Sequence, residues 1–157
     1  MKFNESIHNF VQKWGFFIAL LFALGLLALQ GCEKIKEQIY KNYFEENVLD
    51  NDFMIDLAID DSGADITAQY SGWVFRLSKN TYTDGPMTAK KSGNTFTGTW
   101  LLTEDFGKLT ILIDQPTTPT GFEFINRSWR FTEKNLPILR FAPWGYTGPM
   151  VLNMRKM

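Results

Sequence analysis

The sequence predicts an all-β protein: an antiparallel lipocalin-like barrel or barrel-like sandwich of about eight strands, preceded by a signal helix and a short amphipathic helix. Three observations support this prediction. Beyond residue 50, apolar and polar side chains alternate with the period of two that half-buried strands have. Gly, Pro, Asn and Asp interrupt the alternation roughly every eight to twelve residues, as short strands joined by tight turns require. The two faces of each strand differ in polarity, so one side of the sheet is expected to be dry.

The chain opens with the features of an export signal. Residues 1–13 are polar and contain Lys2 and Lys13, and the sixteen residues 14–29 carry no charge. A helix of that length spans about 24 Å, less than the roughly 30 Å hydrocarbon core of a bilayer. We therefore interpret residues 1–31 as a cleaved signal peptide. An uncleaved signal anchor is the alternative.

The apolar run ends at Leu29-Gln30-Gly31-Cys32, which resembles the lipobox of bacterial lipoproteins. In that family the cysteine that matches Cys32 carries a diacylglycerol, cleavage precedes it, and the new amine is often acylated with a chain such as palmitate. The resemblance implies a protein of the cell envelope that is lipid-anchored to a membrane, with the outer membrane favoured, and that faces the periplasm or the cell exterior. Each buried methylene of an acyl chain contributes about 0.8 kcal/mol, so two or three chains hold almost permanently.

Residues 32–51 are predicted to form the lipidated tether. Within them, apolar side chains recur four residues apart, which is typical of an amphipathic helix. The expected stripe comprises Ile35, Ile39, Tyr43 and then Asn47 or Val48. Such a helix packs on the β domain, lies along the bilayer surface or serves as a spacer, and the sequence leaves these three alternatives open.

The β domain is predicted to span residues 52–157. Its expected strands are Phe53–Asp60, Tyr70–Lys79, Met87–Lys91, Thr95–Thr103, Lys108–Asp114, Arg127–Thr132, Pro137–Phe141 and Met150–Arg155. Turn-forming residues separate them at Asp84-Gly85-Pro86, at Ser92-Gly93-Asn94 and at Glu104–Gly107. Residues Gly121–Asn126 are expected to form one helical turn that plugs an open end of the barrel.

Alternation also predicts which side chains face the interior. The expected inward residues are Phe53, Ile55, Leu57 and Ile59, then Trp73, Phe75 and Leu77, then Phe96, Gly98, Trp100 and Leu102, then Leu109, Ile111 and Ile113, and finally Trp129 and Phe131. An eight-stranded barrel has an interior that side chains just fill or that holds one small ligand.

Several of these segments resemble the lipocalin-like domains of small lipoproteins common in Bacteroidota. They are Tyr70–Lys79, Asn94–Trp100, Lys108–Ile111 and Ser128–Phe131. An acidic stretch, Asp60–Thr67, precedes an aromatic strand, as a similar stretch does in those proteins. Trp129 matches their late tryptophan at the start of the C-terminal half. The resemblance covers residues 52–156 and implies a lipocalin-like barrel. Most members of that group have no assigned activity, so the resemblance implies no reaction.

The composition argues against an enzyme and against nucleic-acid binding. The 157 residues include 16 basic and 17 acidic ones, without a long block of like charge. The only histidine, His8, lies in the leader, and Cys32 is the only cysteine, so the mature chain lacks the common catalytic pairs and most zinc ligands. Asp60, Asp61 and Asp65 do not have EF-hand spacing and are interpreted as a turn. We predict no catalytic residue, no metal site and no cofactor.

Aromatic side chains are the remaining candidates for a functional site. A ligand-binding barrel would use the apolar walls formed by Trp73, Phe75, Trp100, Trp129, Phe141 and Trp144. The sequence thus predicts a non-catalytic, membrane-anchored lipoprotein that binds a small apolar ligand in its barrel. The alternative is an interaction subunit of an envelope complex with a filled barrel. It would contact its protein partner through the exposed loop around Trp144 and Tyr146, or through the helix at residues 35–48.

Overall fold

The computed structural model describes residues 38–104, 106–116 and 120–157, and residues 40–157 form one compact unit. The elements are a helix α1 (38–47) and eight strands, β1 (Asp52–Ile59), β2 (Val74–Leu77), β3 (Asp84–Lys91), β4 (Asn94–Thr103), β5 (Lys108–Gln115), β6 (Ser128–Glu133), β7 (Ile138–Pro143) and β8 (Val151–Lys156). The predicted signal peptide, Cys32 and the beginning of the predicted tether lie outside the described residues. Within the described ranges, no helix has the length and apolar character that a bilayer crossing requires.

The eight strands close an antiparallel barrel in which every strand pairs with its neighbours in chain order and β8 pairs with β1. This arrangement confirms the predicted fold class. The seam between β1 and β2 has only two paired positions, Asp52↔Arg76 and Phe53↔Phe75. Beyond them, the chain that follows β1 covers its edge, because the Ala58 amide donates to Thr67 Oγ1 at 2.9 Å.

The barrel interior contains the apolar side chains that the alternation predicted, except Leu57 and Ile59, which are only partly buried, together with others from β3, β7 and β8. The largest fully buried side chains are Trp100, Trp129, Phe53, Phe75, Phe141, Leu77, Met87, Leu109, Ile111, Ile113, Ile125 and Leu152. Burying a Leu or Phe side chain stabilises the fold by about 1.5–3 kcal/mol relative to leaving it exposed. Polar side chains such as Thr95, Thr97 and Thr99 point outward on β4, also as predicted.

Two predicted turns are confirmed and one is wrong. Ser92 and Gly93 adopt left-handed φ angles of 49° and 83° between β3 and β4, and Glu104 does so at 53° between β4 and β5. In contrast, Asp84-Gly85-Pro86 is the beginning of β3. The chain reverses just before it, where Thr81 Oγ1 accepts the amide of Asp84 at 3.1 Å.

Two predicted strands differ from the structure in detail. The strand expected to begin at Tyr70 begins at Val74, because Thr67–Tyr70 forms a 3-10 turn that carries Tyr70 over the end of the barrel. In β1, the pairing with β8 shifts register between Ile55 and Leu57. This bulge turns Ala58 into the interior, where it is fully buried, while Leu57 is only partly buried.

Helix α1 closes one end of the barrel, which we call the helix end; the β2–β3, β4–β5 and β6–β7 connections share it. The buried side chains of this segment are Phe44, Val48 and Leu49. Of the predicted stripe, Val48 is buried, but Ile39 is 60% exposed and Phe44 takes the inward place expected for Tyr43, whose hydroxyl donates to the Lys134 carbonyl. Phe44, Val48 and Leu49 pack on the β domain, which is one of the three alternatives left open by the sequence.

The opposite end, which we call the loop end, is closed by the chain between β5 and β6. A 3-10 turn at Thr120–Phe122 lies in this chain, as predicted, and Phe122, Phe124 and Ile125 are buried there. The Phe122 ring lies 4.8 Å from the Trp73 ring, measured between centroids. Both ends of the barrel are thus covered by aromatic side chains of the chain itself.

Candidate functional site

The six aromatic residues predicted to bind a ligand occupy three different places in the fold. Trp100 lies toward the helix end, where its ring centroid is 5.8 Å from that of Phe44. Trp129 lies toward the loop end, 5.4 Å from Phe124. The other predicted residues are the buried Phe75 and Phe141, the partly buried Trp73, and Trp144, which lies on the outside. The structure does not gather these six side chains around one space, and their role in binding stays a prediction.

The inward side chains leave little room between them. Ten of those in the apolar core have no solvent-accessible area: Phe53, Ala58, Phe75, Met87, Ala89, Ile111, Ile113, Ile125, Trp129 and Leu152. A side chain with no accessible area borders no void large enough for a water molecule. In this conformation the space around these residues is filled, as in an ordinary protein core.

The polar groups of the two buried tryptophans are already satisfied. The Trp100 indole N–H donates to the Ser78 carbonyl at 2.8 Å, and the Trp129 indole N–H donates to the Ile125 carbonyl at 3.0 Å. A binding pocket usually orients its ligand with a few polar groups that are free to pair with it. These two indoles instead fix the connections that lie over the barrel.

Arg127 and Asn126 hold the cover of the loop end in place, and sequence reasoning assigned them no role. Asn126 pairs with both backbone groups of Ile113: its Oδ1 accepts the amide at 2.7 Å, and its Nδ2 donates to the carbonyl at 2.9 Å. Arg127 Nε donates to the Phe124 carbonyl at 2.7 Å. The guanidinium also lies 5.7 Å from the Trp129 ring centroid, within cation–π distance.

Tyr70 completes the loop-end cover. Its ring is buried beside Phe122 and Phe124, and its hydroxyl donates to the Gly121 carbonyl at 3.0 Å. Burial raises the pKa of Tyr70 to about 12, and the nearby Arg127 charge opposes part of that rise. The phenol is therefore neutral at physiological pH and acts as a structural hydrogen-bond donor.

Two exposed aromatic side chains lie together in the β7–β8 connection, residues 144–150, which we call the aromatic loop. Trp144 and Tyr146 are 40% and 47% exposed. The Trp144 amide is held by the Ser128 carbonyl at 2.9 Å, so its backbone is anchored while its ring is accessible. The Tyr146 ring lies against Gly148, where a Cβ atom would be only 2.1 Å from the ring. Glycine is thus required there for this ring position.

A shallow groove of about 600 Å³ lies on the outer wall, between the β2–β3 connection and β4. It is lined by Lys79, Asn80, Asp84, Gly85, Pro86, Thr99, Trp100 and Leu101. Only an edge of Trp100 contributes, because that residue is almost fully buried. The groove is open to solvent and does not reach the interior around Phe75.

The acidic turn after β1 uses its carboxylates internally. Asp60 Oδ1 accepts hydrogen bonds from the Ser62 hydroxyl and from the amides of Ser62 and Ala64, and these bonds lower the pKa of Asp60. The pKa of Asp65 is lowered in the same way by Thr67. In the part of the chain that the structure describes, no three acidic, histidine or cysteine side chains are placed to hold a metal ion.

Comparison of the chain with known protein families, with curated proteins and with solved structures found no match.

Proposed function

We propose that this protein is a lipid-anchored, lipocalin-like component of the bacterial cell envelope, and that its barrel is a rigid, filled scaffold for binding a partner protein. The packing of the interior supports the scaffold role most directly. Fully buried side chains such as Phe75 and Trp129 fill the barrel, and both ends are covered. The lipobox-like sequence Leu29–Cys32 supports the anchor.

Of the two contact surfaces that the sequence suggested, the aromatic loop is the better candidate. Phe44 on α1 and Val48 just after it are buried against the barrel, and the exposed large hydrophobic side chains of this helix, Ile39 and Tyr40, lie in its first turn. Trp144 and Tyr146 retain exposed rings on an anchored backbone. Tryptophan and tyrosine are also the side chains most enriched where protein partners bind tightly.

A ligand inside the barrel is the second hypothesis from the sequence, and it requires rearrangement. Drug-sized ligands occupy pockets of about 300–1,000 Å³. To open such a space, at least one of the large interior side chains, for example Phe75 or Trp129, would have to leave the core. We therefore give the partner-binding role precedence over ligand binding.

Site-specific photo-crosslinking tests the partner-binding role. A photoreactive amino acid at Tyr146 is expected to produce a discrete protein adduct in the intact envelope of the native cells. The same group at Thr97, an exposed position on β4, is the control and should produce none. The Trp144→Ala change should abolish the adduct from position 146 without unfolding the barrel. Equal labelling from positions 146 and 97 would contradict the proposal.

The intact mass of the mature protein tests the anchor separately. We expect cleavage before Cys32 and a mass increase equal to that of the attached diacylglycerol and acyl chains. The Cys32→Ala variant should lack this increase and should leave the membrane fraction. An unmodified Cys32 in membrane-bound protein would instead support an uncleaved signal anchor.

A further inference from the structure

We propose that the helix end of the barrel is a second docking surface, which faces the lipid bilayer and lies against its headgroup region. This inference rests on the lipid anchor at Cys32 proposed above. Its occupant is the membrane surface itself. The structure contributes two independent arguments, one from chain length and one from the chemistry of the side chains at this end.

Gln38 is the first helical residue that the structure describes. Six residue steps separate Cys32 from Gln38, and even a fully extended chain of that length reaches only about 20 Å. Helix α1 then leads directly to the helix end, where the Asp50 amide donates to the Leu77 carbonyl at 2.8 Å. The anchor is therefore tied by a short chain to this end of the barrel.

The loop end lies one barrel length farther along. An eight-residue strand rises about 26 Å, and the usual tilt of barrel strands reduces this to about 20 Å along the axis. With the helix end toward the bilayer, the aromatic loop points away from it. That orientation leaves Trp144 and Tyr146 accessible to a protein partner.

The side chains at the helix end are of the kind found at membrane interfaces. Tyr40 and Tyr82 are 46% and 37% exposed, and the C-terminal Met157 is 70% exposed. Met157 belongs to this end because its amide donates to the Asp52 carbonyl at 2.9 Å. Tyrosine rings lie at the level of lipid headgroups, with the ring in an apolar layer and the hydroxyl in water.

Two lysines lie beside Tyr82 and one lies beside Tyr40. Lys41 Nζ lies 3.6 Å and Lys79 Nζ 4.5 Å from the Tyr82 ring centroid, and Lys134 Nζ lies 4.8 Å from that of Tyr40. Lysine stems cover apolar surface while their ammonium groups reach toward water and phosphate. Lys134 Nζ also donates to the Phe106 carbonyl at 2.7 Å and Lys79 pairs with Glu45, so Lys41 beside Tyr82 is the cation that a headgroup phosphate can approach.

The charge at this end is mixed. Acidic side chains stand among the lysines, including Glu45, Glu46, Asp50 and Glu104, and Glu45 pairs with Lys79. A surface of this kind is not a polybasic patch, which would require anionic lipid. We therefore expect the orientation to persist on zwitterionic phosphatidylcholine vesicles and to change little with salt.

Fluorescence quenching on vesicles tests the orientation. The lipidated protein, with Cys32 blocked by its own lipid, is reconstituted into phosphatidylcholine vesicles containing lipids with a nitroxide near the headgroup. A single new thiol is labelled with an environment-sensitive dye at Glu46→Cys on α1 or at Asp61→Cys on the loop end. Both positions are exposed, and both changes remove one negative charge. We expect quenching at position 46 to exceed that at position 61 several-fold.

The outcomes separate this inference from the proposed function. Equal quenching at the two positions, or stronger quenching at position 61, would overturn the orientation even if the lipid is present. Lack of lipid on Cys32 would be detected first by mass and would overturn the anchor on which the inference rests. The double change Tyr40→Ser and Tyr82→Ser should reduce the difference between positions 46 and 61. If it leaves that difference intact, the proposed contact through the tyrosines is wrong.

Discussion

Single side chains determine how the loop end is closed. The Asn126 amide pairs with the backbone of Ile113 as a strand residue would, although residue 126 precedes β6. The Tyr70 hydroxyl joins the 3-10 turn after β1 to the Gly121 carbonyl. Neither contact could be predicted from the sequence, because each depends on residues that are distant along the chain. Arg127 adds a local contact, because its Nε donates to the Phe124 carbonyl three residues earlier.

The change Asn126→Ala should destabilise the barrel by about 2 kcal/mol, because it removes two hydrogen bonds of roughly 1 kcal/mol each and leaves the Ile113 backbone unpaired. Urea denaturation followed by tryptophan fluorescence measures this loss. Asn135→Ala is the matched control, since the Asn135 side chain is exposed and its Nδ2 donates to Glu133 Oε1 at 3.0 Å. The control should change stability by less than about 0.5 kcal/mol.

The raised pKa of Tyr70 predicts a loss of stability at high pH. The Tyr70 phenol ionises near pH 10 in the unfolded chain and near pH 12 in the barrel. The stability that the neutral phenol contributes is therefore complete below pH 10 and is lost as the pH rises through 12. At pH 11 the loss should be about 1 kcal/mol. Urea denaturation at pH 8 and pH 11 should show this loss of stability for the native chain but not for Tyr70→Phe. The same pH dependence in both proteins would contradict this assignment.

At the scale of elements, strands were predicted well and the helix less well. The inward positions of Leu109, Ile111 and Ile113 on β5 follow from the alternation, although the outward Leu112 between them is also apolar and is 45% exposed. The bulge between Ile55 and Leu57 is not indicated by any pattern in the sequence. On α1, tyrosine and phenylalanine are adjacent, so periodicity alone did not determine whether Tyr43 or Phe44 faces the barrel. The tertiary contacts select Phe44.

The change Phe44→Ala should weaken the attachment of α1 to the barrel. The Phe44 ring contacts Trp100, Phe106 and Phe131, and loss of a buried phenylalanine costs about 3–5 kcal/mol. Urea denaturation measures the loss, and hydrogen exchange should show faster exchange of the helix amides.

The matched control is Glu46→Ala, an exposed position on the same helix, which should remain within about 0.5 kcal/mol of the native chain. A loss below about 1 kcal/mol for Phe44→Ala would mean that α1 does not contribute to closing the barrel.

At the scale of the whole molecule, the sequence predicted the barrel but left open whether it is hollow or filled. The inward residues have the same identities in either case, since aromatic walls suit a ligand pocket and a packed core equally well. The difference arises from how the ends are closed, by Phe44 from α1 and by Phe122 and Phe124 from the β5–β6 connection. A filled barrel has only its outer surface available for function.

Intact-complex mass spectrometry tests the filled barrel most directly, using protein extracted gently from its native membrane. Phe75→Ala is the matched variant, because removing a fully buried ring creates an apolar cavity of a kind that takes up benzene-sized molecules. We predict that the native protein has the mass of the lipidated chain alone and takes up no added benzene derivative, whereas Phe75→Ala does. A small apolar molecule retained in stoichiometric amount by the native protein, and also by its Cys32→Ala form, would contradict the filled barrel and restore the ligand-binding hypothesis.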